Sequence, residues 1–285
     1  MDKQEVLKIL NDNNLHADKN FGQNFLCNDE IINRIVEVSD IREDTKILEI
    51  GPGIGSLTRG IIKNLNGNMS LSVVEIDKRL AEFLLNDKGI NQYAYIIESD
   101  FLKLKAEDYV PYKGFDFVLS NIPYNVTTPL IKKLLVDCNA AERMTFMIEE
   151  DALDRIDAKP KSKQYGPLAV LCSVYGNVNK EFTVGPDNFY PAPHTNSCVI
   201  TLTKMLSLDS DGDFVITDGF VEFVEACFSQ RRKTLFNSLK SYFDTHTTLI
   251  PLQKAMFMLS INLNTRAEVL KPQQFVEIYK KLLIK

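Results

Sequence analysis

One feature constrains the fold of this chain more than any other: short apolar strands alternate with helical segments through its first half. Residues 46–50 (KILEI), 72–76 (SVVEI), 93–97 (YAYII) and 115–120 (FDFVLS) each read as a buried strand. A helix that begins near Ser56 follows the first of them. Strands that alternate with helices pair in parallel, because each helix returns the chain to the starting edge of the sheet. The sequence therefore predicts an α/β, doubly wound sheet in this region.

The pattern changes after a fifth strand at residues 143–148 (RMTFMI). Residues 174–184 (VYGNVNKEFTV) and 197–203 (SCVITLT) have the composition of strands that pair antiparallel. The whole pattern is typical of a Rossmann-like sheet that is parallel except for an antiparallel last strand.

A polar run at residues 207–213, SLDSDGD, follows the last strand and has the composition of a loop. The segments beyond it have helical spacing of apolar residues. We therefore predict two domains: a sheet domain over residues 1–206, and a small helical domain over residues 207–285.

Composition excludes several classes of protein. No apolar run approaches the roughly 18 residues that a membrane-spanning helix needs, and the opening MDKQEVLKILNDNN is not a signal peptide. Five scattered cysteines form no C-x-x-C, and three histidines show no metal-ligand spacing, so we expect reduced, buried thiols, no metal and a cytoplasmic protein. The net charge of −5 predicts no broad positive field, so any contact with a nucleic acid must come from local clusters.

A glycine cluster, E-I-G-P-G-I-G at residues 49–55, follows the first strand and precedes a helix. Glycines such as Gly51 and Gly53 let the backbone pass close to a ligand without a Cβ in the way. The spacing is G-x-G-x-G rather than the G-x-G-x-x-G of dinucleotide enzymes, which favours an adenosine cofactor without a pyrophosphate. A dinucleotide site and a purely structural turn remain alternatives.

Two acidic residues stand at the ends of the next strands. Glu75 can accept hydrogen bonds from both ribose hydroxyls, and Asp100 can accept one from an adenine amino group. Ligands of open α/β sheets bind at this carboxyl edge, which favours both assignments. The alternatives are a solvated strand-end acid for Glu75 and a turn cap for Asp100. Asp77, two residues after Glu75, is expected at the surface.

The motif N-I-P-Y follows the fourth strand and predicts chemistry on an adenine amine. The Asn121 side-chain oxygen and the Ile122 carbonyl can each accept one N–H of the amine, which frees the nitrogen lone pair for attack. Pro123 restricts Ile122 to extended backbone and so fixes the direction of its carbonyl. The ring of Tyr124 offers a face on which an extruded base can stack. The alternative is an ordinary strand-ending turn.

Two basic clusters are candidate contacts for nucleic acid. Arg231, Arg232 and Lys233 lie beside Gln230, which adds a phosphate donor, and K-P-K-S-K at residues 159–163 reads as a mobile loop. For both clusters, a solvated surface remains the alternative.

The motifs together resemble, nearly end to end, the family of ribosomal small-subunit RNA adenine N6,N6-dimethyltransferases, whose bacterial members are tied to kasugamycin sensitivity. F-G-Q-N-F-L (21–26), N-I-P-Y-N-V-T-T-P (121–129), F-Y-P-A-P (189–193) and F-S-Q-R-R-K-T-L (228–235) stand in family order, and the last is particularly specific. The resemblance implies a Rossmann-like class I methyltransferase sheet.

The resemblance also assigns residues to ligands. It implies that S-adenosylmethionine is bound by the residues Asn24, Leu26, Gly51, Gly53, Glu75, Asp100 and Asn121. The same resemblance implies that Asn121 and Tyr124 hold the target adenine. Contacts to RNA are assigned to Phe189, Arg231, Arg232 and Lys233.

The function implied is dimethylation of the N6 amines of two adjacent adenines near the 3′ end of small-subunit ribosomal RNA, coupled to subunit assembly. The partner is this RNA or the immature small subunit, and a monomer is expected. One alternative is a large-subunit ribosomal RNA adenine methyltransferase that confers macrolide resistance, which is not expected to carry F-S-Q-R-R-K-T-L. Another is a non-catalytic RNA-binding assembly factor, against which the intact N-I-P-Y and glycine loop argue. A DNA or protein-glutamine methyltransferase is a third, for which a different helical tail is expected.

Overall fold

A computed structural model describes residues 1–109, 114–205, 214–240, 242 and 246–283 of the chain. The polar run at residues 207–213, predicted as the domain boundary, lies outside the described residues.

The described residues form strands and helices in the alternation that the sequence predicts. The strands are β1 Phe25–Leu26, β2 Lys46–Ile50, β3 Ser70–Glu75, β4 Ala94–Glu98, β5 Phe117–Asn121, β6 Arg143–Glu149, β7 Gly176–Val184, β8 Phe189–Tyr190 and β9 Ser197–Lys204. The helices are α1 Lys3–Asp12, α2 Asp29–Ser39, α3 Ser56–Asn64, α4 Lys78–Asn86, α5 Lys88–Asn91, α6 Ala106–Tyr109, α7 Thr127–Asp137, α8 Glu150–Ile156, α9 Pro167–Tyr175, α10 Asp218–Phe228, α11 Leu235–Lys240, α12 His246–Met258 and α13 Pro272–Leu283. Short 3₁₀ turns connect several of them.

Seven strands form one sheet in the order β4-β3-β2-β5-β6-β9-β7. The pairs among β2 to β6 are parallel, whereas β9 runs antiparallel to β6 with Met147 opposite Val199. The predicted α/β sheet, parallel with an antiparallel strand added after β6, is confirmed. The direction of the strand order reverses between β2 and β5. Open α/β sheets bind ligands at the carboxyl ends of the strands beside such a reversal.

Helices cover the sheet because its central strands are apolar on both faces. Ile47 and Leu48 in β2 are fully buried, and so are Val118 and Leu119 in β5. Neighbouring residues of a strand point to opposite faces, so buried neighbours require cover on both sides. Burial of each such side chain stabilises the fold by about 1.5–3 kcal/mol.

The described residues divide into two compact units that are not continuous in the sequence. The sheet unit contains Met1–Ala152 and Val178–Lys204, and the helical unit contains Leu153–Asn177 and the described part of Met205–Lys285. The predicted domain limits of 1–206 and 207–285 stay a prediction. Within the helical unit, α9 packs against α10 and α13, and the hydroxyl of Tyr165 donates to the carbonyl of Leu270 at 2.8 Å.

All five cysteines are buried and free: Cys27, Cys138, Cys172, Cys198 and Cys227. Among the helices of the described ranges, none combines the length and the apolar character that crossing a membrane requires.

Candidate active site

A cavity lies in the sheet unit at the carboxyl ends of β2, β3 and β5. Its walls are the N-terminal segment 21–26, the glycine loop 51–53 and the motif 120–124, together with Glu75 and Phe189. The sheet brings these distant segments together because parallel strands end at one edge. Six of the residues predicted to bind S-adenosylmethionine line this cavity: Asn24, Leu26, Gly51, Gly53, Glu75 and Asn121.

The glycine loop has a backbone that only glycine adopts easily. Gly51 has a φ of +68° and Gly53 a φ of +62°, in the left-handed region where a side chain is strained. A Cβ on Gly53 would also lie 3.1 Å from the ring of Phe25. The loop therefore presents its backbone to the cavity, and a side chain at Gly51 or Gly53 would occupy space that a ligand could fill.

Glu75 ties the end of β3 to the glycine loop. One carboxylate oxygen accepts the Gly53 N–H at 2.9 Å, and the other accepts the Asp77 N–H at 2.9 Å. The side chain is 3% exposed, and burial raises its pKa against the opposing effect of these hydrogen bonds. Each carboxylate oxygen retains a second lone pair, so Glu75 can still accept from a ribose hydroxyl.

A second carboxyl group, Glu49, lies in the same cavity at 1% exposure. Among the described residues its Oε2 has no hydrogen-bond partner, and neither has Oγ1 of nearby Thr58. Burial raises the pKa of Glu49 to about 8, and the charge of Glu75 adds to the shift. In the sequence, Glu49 is distinguished only as the acid before the glycines. Its burial, which raises its pKa, is visible only in the structure.

The side chain of Asn121 is oriented by the N-terminal segment. Its amide nitrogen donates to the carbonyl of Asn24 at 3.2 Å, so the amide oxygen is the atom left to accept a hydrogen bond. Ile122 is buried and its N–H donates to Met147 O at 2.9 Å. Pro123 follows with φ −59° and ψ 134°. Hydrogen bonds of both the side chain and the backbone therefore fix the motif where it lines the cavity.

Tyr124 has a partner that the sequence analysis missed. Its hydroxyl lies 2.8 Å from Oγ of Ser197, the buried first residue of β9. Burial raises the pKa of Tyr124, with the Ser197 hydrogen bond opposing and the charge of Glu149 adding. The tyrosine is therefore a neutral, half-buried ring of fixed orientation. Only the pairing of β6 with β9 places Ser197 here, so no local pattern indicates it.

The N-terminal segment is held in the sheet unit by a small two-stranded sheet. Phe25 pairs with Tyr190, and Leu26 with Phe189. Phe189 is 2% exposed and lines the cavity wall. The motifs at residues 21–26 and 189–193 are therefore parts of one structure.

Asp100 does not line the cavity. Its carboxylate accepts the Leu102 N–H at 3.0 Å and lies 3.2 Å from the Lys103 ammonium. The residue follows β4, as predicted, and its contacts are those of a turn cap.

Asp77 is buried, contrary to the prediction from the sequence. It was predicted at the surface, but it is 3% exposed. Arg79 and Gln23 cover it, and both donate to its carboxylate. A residue 54 positions away produces part of this burial, which local sequence does not reveal.

The basic cluster lies in the helical unit. The guanidinium of Arg231 donates to the carbonyls of Lys163 and Tyr165, and it pairs with Glu268 at 3.4 Å. Arg231, Arg232 and Lys233 are all exposed. Arg231 therefore has structural contacts that its two neighbours are not seen to share, and it fastens the loop at residues 159–163.

The charge of the cavity decides what fits it. Among the described residues, its lining includes two carboxyl groups, Glu49 and Glu75, and no lysine, arginine or histidine. A pyrophosphate would find no cationic side chain to pair with, whereas a cationic ligand would favour the ionised form of these carboxyl groups and pair with it. Open glycine backbone, a ribose acceptor and an unpartnered buried carboxyl oxygen together fit a cationic adenosine cofactor. Within the described residues, no group of three or more histidine, cysteine or acidic side chains could hold a metal ion.

Known proteins resemble the chain over most of its length. Residues 14–283 match the family model described as Ribosomal RNA adenine dimethylase. The Ribosomal RNA small subunit methyltransferase A of Chlorobium phaeobacteroides (strain BS1) is 37% identical over 265 residues, which is 93% of each chain. The protein of that name from Malacoplasma penetrans (strain HF-2) is 33% identical over 97% of this chain and 96% of its own.

Two solved structures share the fold. A dimethyladenosine transferase from Plasmodium falciparum superposes with a TM-score of 0.67 at 21% identity, covering 90% of this chain and 98% of its own. The 23S rRNA methyltransferase ErmE gives a TM-score of 0.60 at 22% identity, covering 91% and 99%. The Rossmann-like class I methyltransferase fold is therefore confirmed.

Proposed function

The chain belongs to the ribosomal RNA adenine dimethylase family, and we propose that it dimethylates the N6 amines of two adjacent adenines near the 3′ end of small-subunit ribosomal RNA. The relatives named as small-subunit enzymes support the choice of subunit, since they are 30–37% identical over most of the chain. The arrangement of Asn121 beside the cavity is the observation that carries the chemistry.

The methyl donor is S-adenosylmethionine, whose sulfonium supplies an activated methyl group when it is bound. The acidic lining and the open backbone of Gly51 and Gly53 support this cofactor over a dinucleotide. Glu75 accepts from the ribose, Asn24 and Leu26 close the cavity from the N-terminal segment, and Asp100 is assigned to the adenine end.

Catalysis by this chain is the orientation of a weak nucleophile. The adenine amine donates one N–H to Oδ1 of Asn121 and the other to the carbonyl of Ile122. Pro123 fixes that carbonyl, and the base stacks on Tyr124. These acceptors favour a tetrahedral nitrogen, and the surplus proton passes to solvent after transfer. Orientation of this kind contributes about 7–11 kcal/mol in the best intramolecular cases.

RNA is held by local contacts, because the chain has a net charge of −5. Arg231, Arg232 and Lys233 supply phosphate contacts, and Phe189 belongs to the wall that the entering base passes. The partner is the RNA or the immature small subunit, with methylation coupled to subunit assembly. The protein acts as a cytoplasmic monomer without a metal.

A binding titration separates this function from its alternatives. S-adenosylmethionine should bind the full chain at one saturable site, and NAD, which carries a pyrophosphate, should not bind. A non-catalytic assembly factor need not bind the donor, so absence of donor binding would contradict the proposal. Methyl transfer to large-subunit RNA in place of small-subunit RNA would identify the macrolide-resistance alternative.

A further inference from the structure

The Asp77 carboxylate accepts three side-chain hydrogen bonds, two from Arg79 and one from Gln23, although Asp77 was not among the residues predicted to bind S-adenosylmethionine. Arg79 donates through Nε at 3.0 Å to Oδ1 and through Nη2 at 2.6 Å to Oδ2, a bidentate pair. Gln23 donates through Nε2 to Oδ2 at 3.1 Å. These hydrogen bonds and the charge of Arg79 outweigh burial and lower the pKa of Asp77. Bidentate charged pairs of this type are among the stronger hydrogen bonds in proteins.

The same contacts reach further into the N-terminal segment. The backbone N–H of Asp18 donates to Oε1 of Gln23 at 2.8 Å, so the Gln23 amide joins Asp77 to the turn at residue 18. Arg79 lies 4.0 Å from the Asp18 carboxylate and 2.9 Å from Nε2 of His16. We call Asp18, Gln23, Asp77 and Arg79 the Asp77 network.

The network joins two walls of the cavity. Asp77 donates its N–H to Glu75, and Glu75 accepts from Gly53 in the glycine loop. Gln23 lines the cavity next to Asn24, whose carbonyl accepts from Asn121. One chain of hydrogen bonds thus runs from the glycine loop through Glu75, Asp77 and Gln23 to the segment that orients Asn121.

We propose that Asp77 and Arg79 are positioning residues that hold residues 16–24 against the S-adenosylmethionine site before S-adenosylmethionine binds. This inference rests on the proposed function, because it takes the cavity to be the site of S-adenosylmethionine. A segment ordered in advance lowers the entropic cost of binding. When the network is broken, that cost falls on binding, and donor affinity decreases.

The chain contains a matched control for the test. Asp87 caps α5 as Asp77 caps α4, and it pairs with Arg59 of α3. The Arg59–Asp87 pair joins two helices of the sheet unit rather than the N-terminal segment. Asn is an effective helix cap, so Asp77→Asn and Asp87→Asn both keep the cap and remove the charge. Lys78→Met is a second control, since Lys78 is exposed and pairs with Glu82.

The experiment uses the full chain with S-adenosylmethionine as the probe. Donor affinity is measured by calorimetry, and amide hydrogen exchange of residues 16–26 is measured without donor. Arg79→Met and Asp77→Asn should weaken donor binding by about tenfold, equivalent to about 1.4 kcal/mol. Both should accelerate exchange in residues 16–26. The KM for S-adenosylmethionine should rise, whereas kcat, the rate constant at saturating S-adenosylmethionine, should stay at the wild-type value. Arg59→Met, Asp87→Asn and Lys78→Met should leave affinity and exchange unchanged.

Failure of the proposed function and failure of the positioning role of Asp77 and Arg79 would give different results. A wild-type chain that does not bind the donor would contradict the proposed function, while the exchange measurement would still test the hold on residues 16–24. A wild-type chain that binds the methyl donor, with Arg79→Met and Arg59→Met equal in affinity and exchange, would show that the Asp77 network does not position residues 16–24. Exchange that accelerates throughout the sheet unit in Arg79→Met would also contradict a positioning role.

Discussion

Single residues give the cavity its electrostatic character. Glu49 and Glu75 are both buried, but Glu75 has two backbone N–H donors whereas Oε2 of Glu49 has no partner among the described residues. A buried carboxylate without donors favours its neutral form. Burial raises the pKa of Glu49 to about 8, which favours its protonated form near neutral pH.

This protonation predicts a pH dependence of stability. The folded-state pKa of Glu49 is above its unfolded value of 4.5, so between these values the native state holds a proton that the unfolded state has lost. Its contribution is fully present below pH 4.5 and is lost as pH rises through about 8. Glu49→Gln should lose less stability than the wild type between pH 5 and pH 8, by denaturant titration without donor. Identical slopes for the two proteins would show that Glu49 is already ionised.

Tyr124 allows the stacking role to be separated from the role of the hydroxyl. Tyr124→Ala removes the ring and should reduce turnover by about 10- to 100-fold, from a stacking loss of about 1–3 kcal/mol. Tyr124→Phe and Ser197→Ala each remove the same hydrogen bond, so each should cost less than about tenfold. Steady-state methyl transfer measures all three. If Tyr124→Phe were as inactive as Tyr124→Ala, the hydroxyl would have a chemical role.

At the scale of elements, the ends of β2, β3 and β5 line one cavity, and the sequence predicts that these strand ends meet. Buried strands followed by glycine, acid or N-I-P-Y fix which residues meet at the carboxyl edge. Contacts made by distant segments were not predictable. Ser197 meets Tyr124 only because β9 pairs with β6, and Gln23 covers Asp77 only because the N-terminal segment folds back. Local patterns do not record such pairings.

The glycine loop gives a prediction about an element. Gly51→Val places a β-branched residue at a φ of +68°, which costs about 1–2 kcal/mol of stability, and its side chain occupies space in the cavity. Glu75→Ala removes the acceptor for the Gly53 and Asp77 N–H groups. Both variants should bind the donor much more weakly while remaining folded, as measured by calorimetry beside circular dichroism. Unchanged donor affinity in a folded variant would contradict the assignment.

At the scale of the whole molecule, a net charge of −5 must be reconciled with an RNA substrate. All three residues of the basic cluster are exposed, but Arg231 also donates to two carbonyls and pairs with Glu268. Charge reversal of Arg231 would therefore disturb the helical unit as well as any phosphate contact. Arg232 and Lys233 are the better probes.

Arg232→Glu with Lys233→Glu should weaken binding to the small subunit. Each lost phosphate contact should flatten the salt dependence by about one unit of slope. Donor affinity should stay at the wild-type value, because neither residue lines the cavity. Subunit affinity at several salt concentrations measures the effect, with Lys240→Glu, an exposed lysine of α11, as the control. Equal affinities and slopes in wild type and double variant would mean that these residues are only a solvated surface.

In the proposed mechanism, Asn121 orients an adenine amine for methyl transfer. Its most direct test is transfer of labelled methyl groups from S-adenosylmethionine to small ribosomal subunits that lack the modification, with the product nucleoside identified. The wild-type chain should yield N6,N6-dimethyladenosine, and Asn121→Ala should be slower by about 10²–10³ at unchanged fold, the range for loss of one oriented hydrogen-bonding group in an active site. A methylated nucleoside other than adenosine, or full activity in Asn121→Ala, would contradict the account.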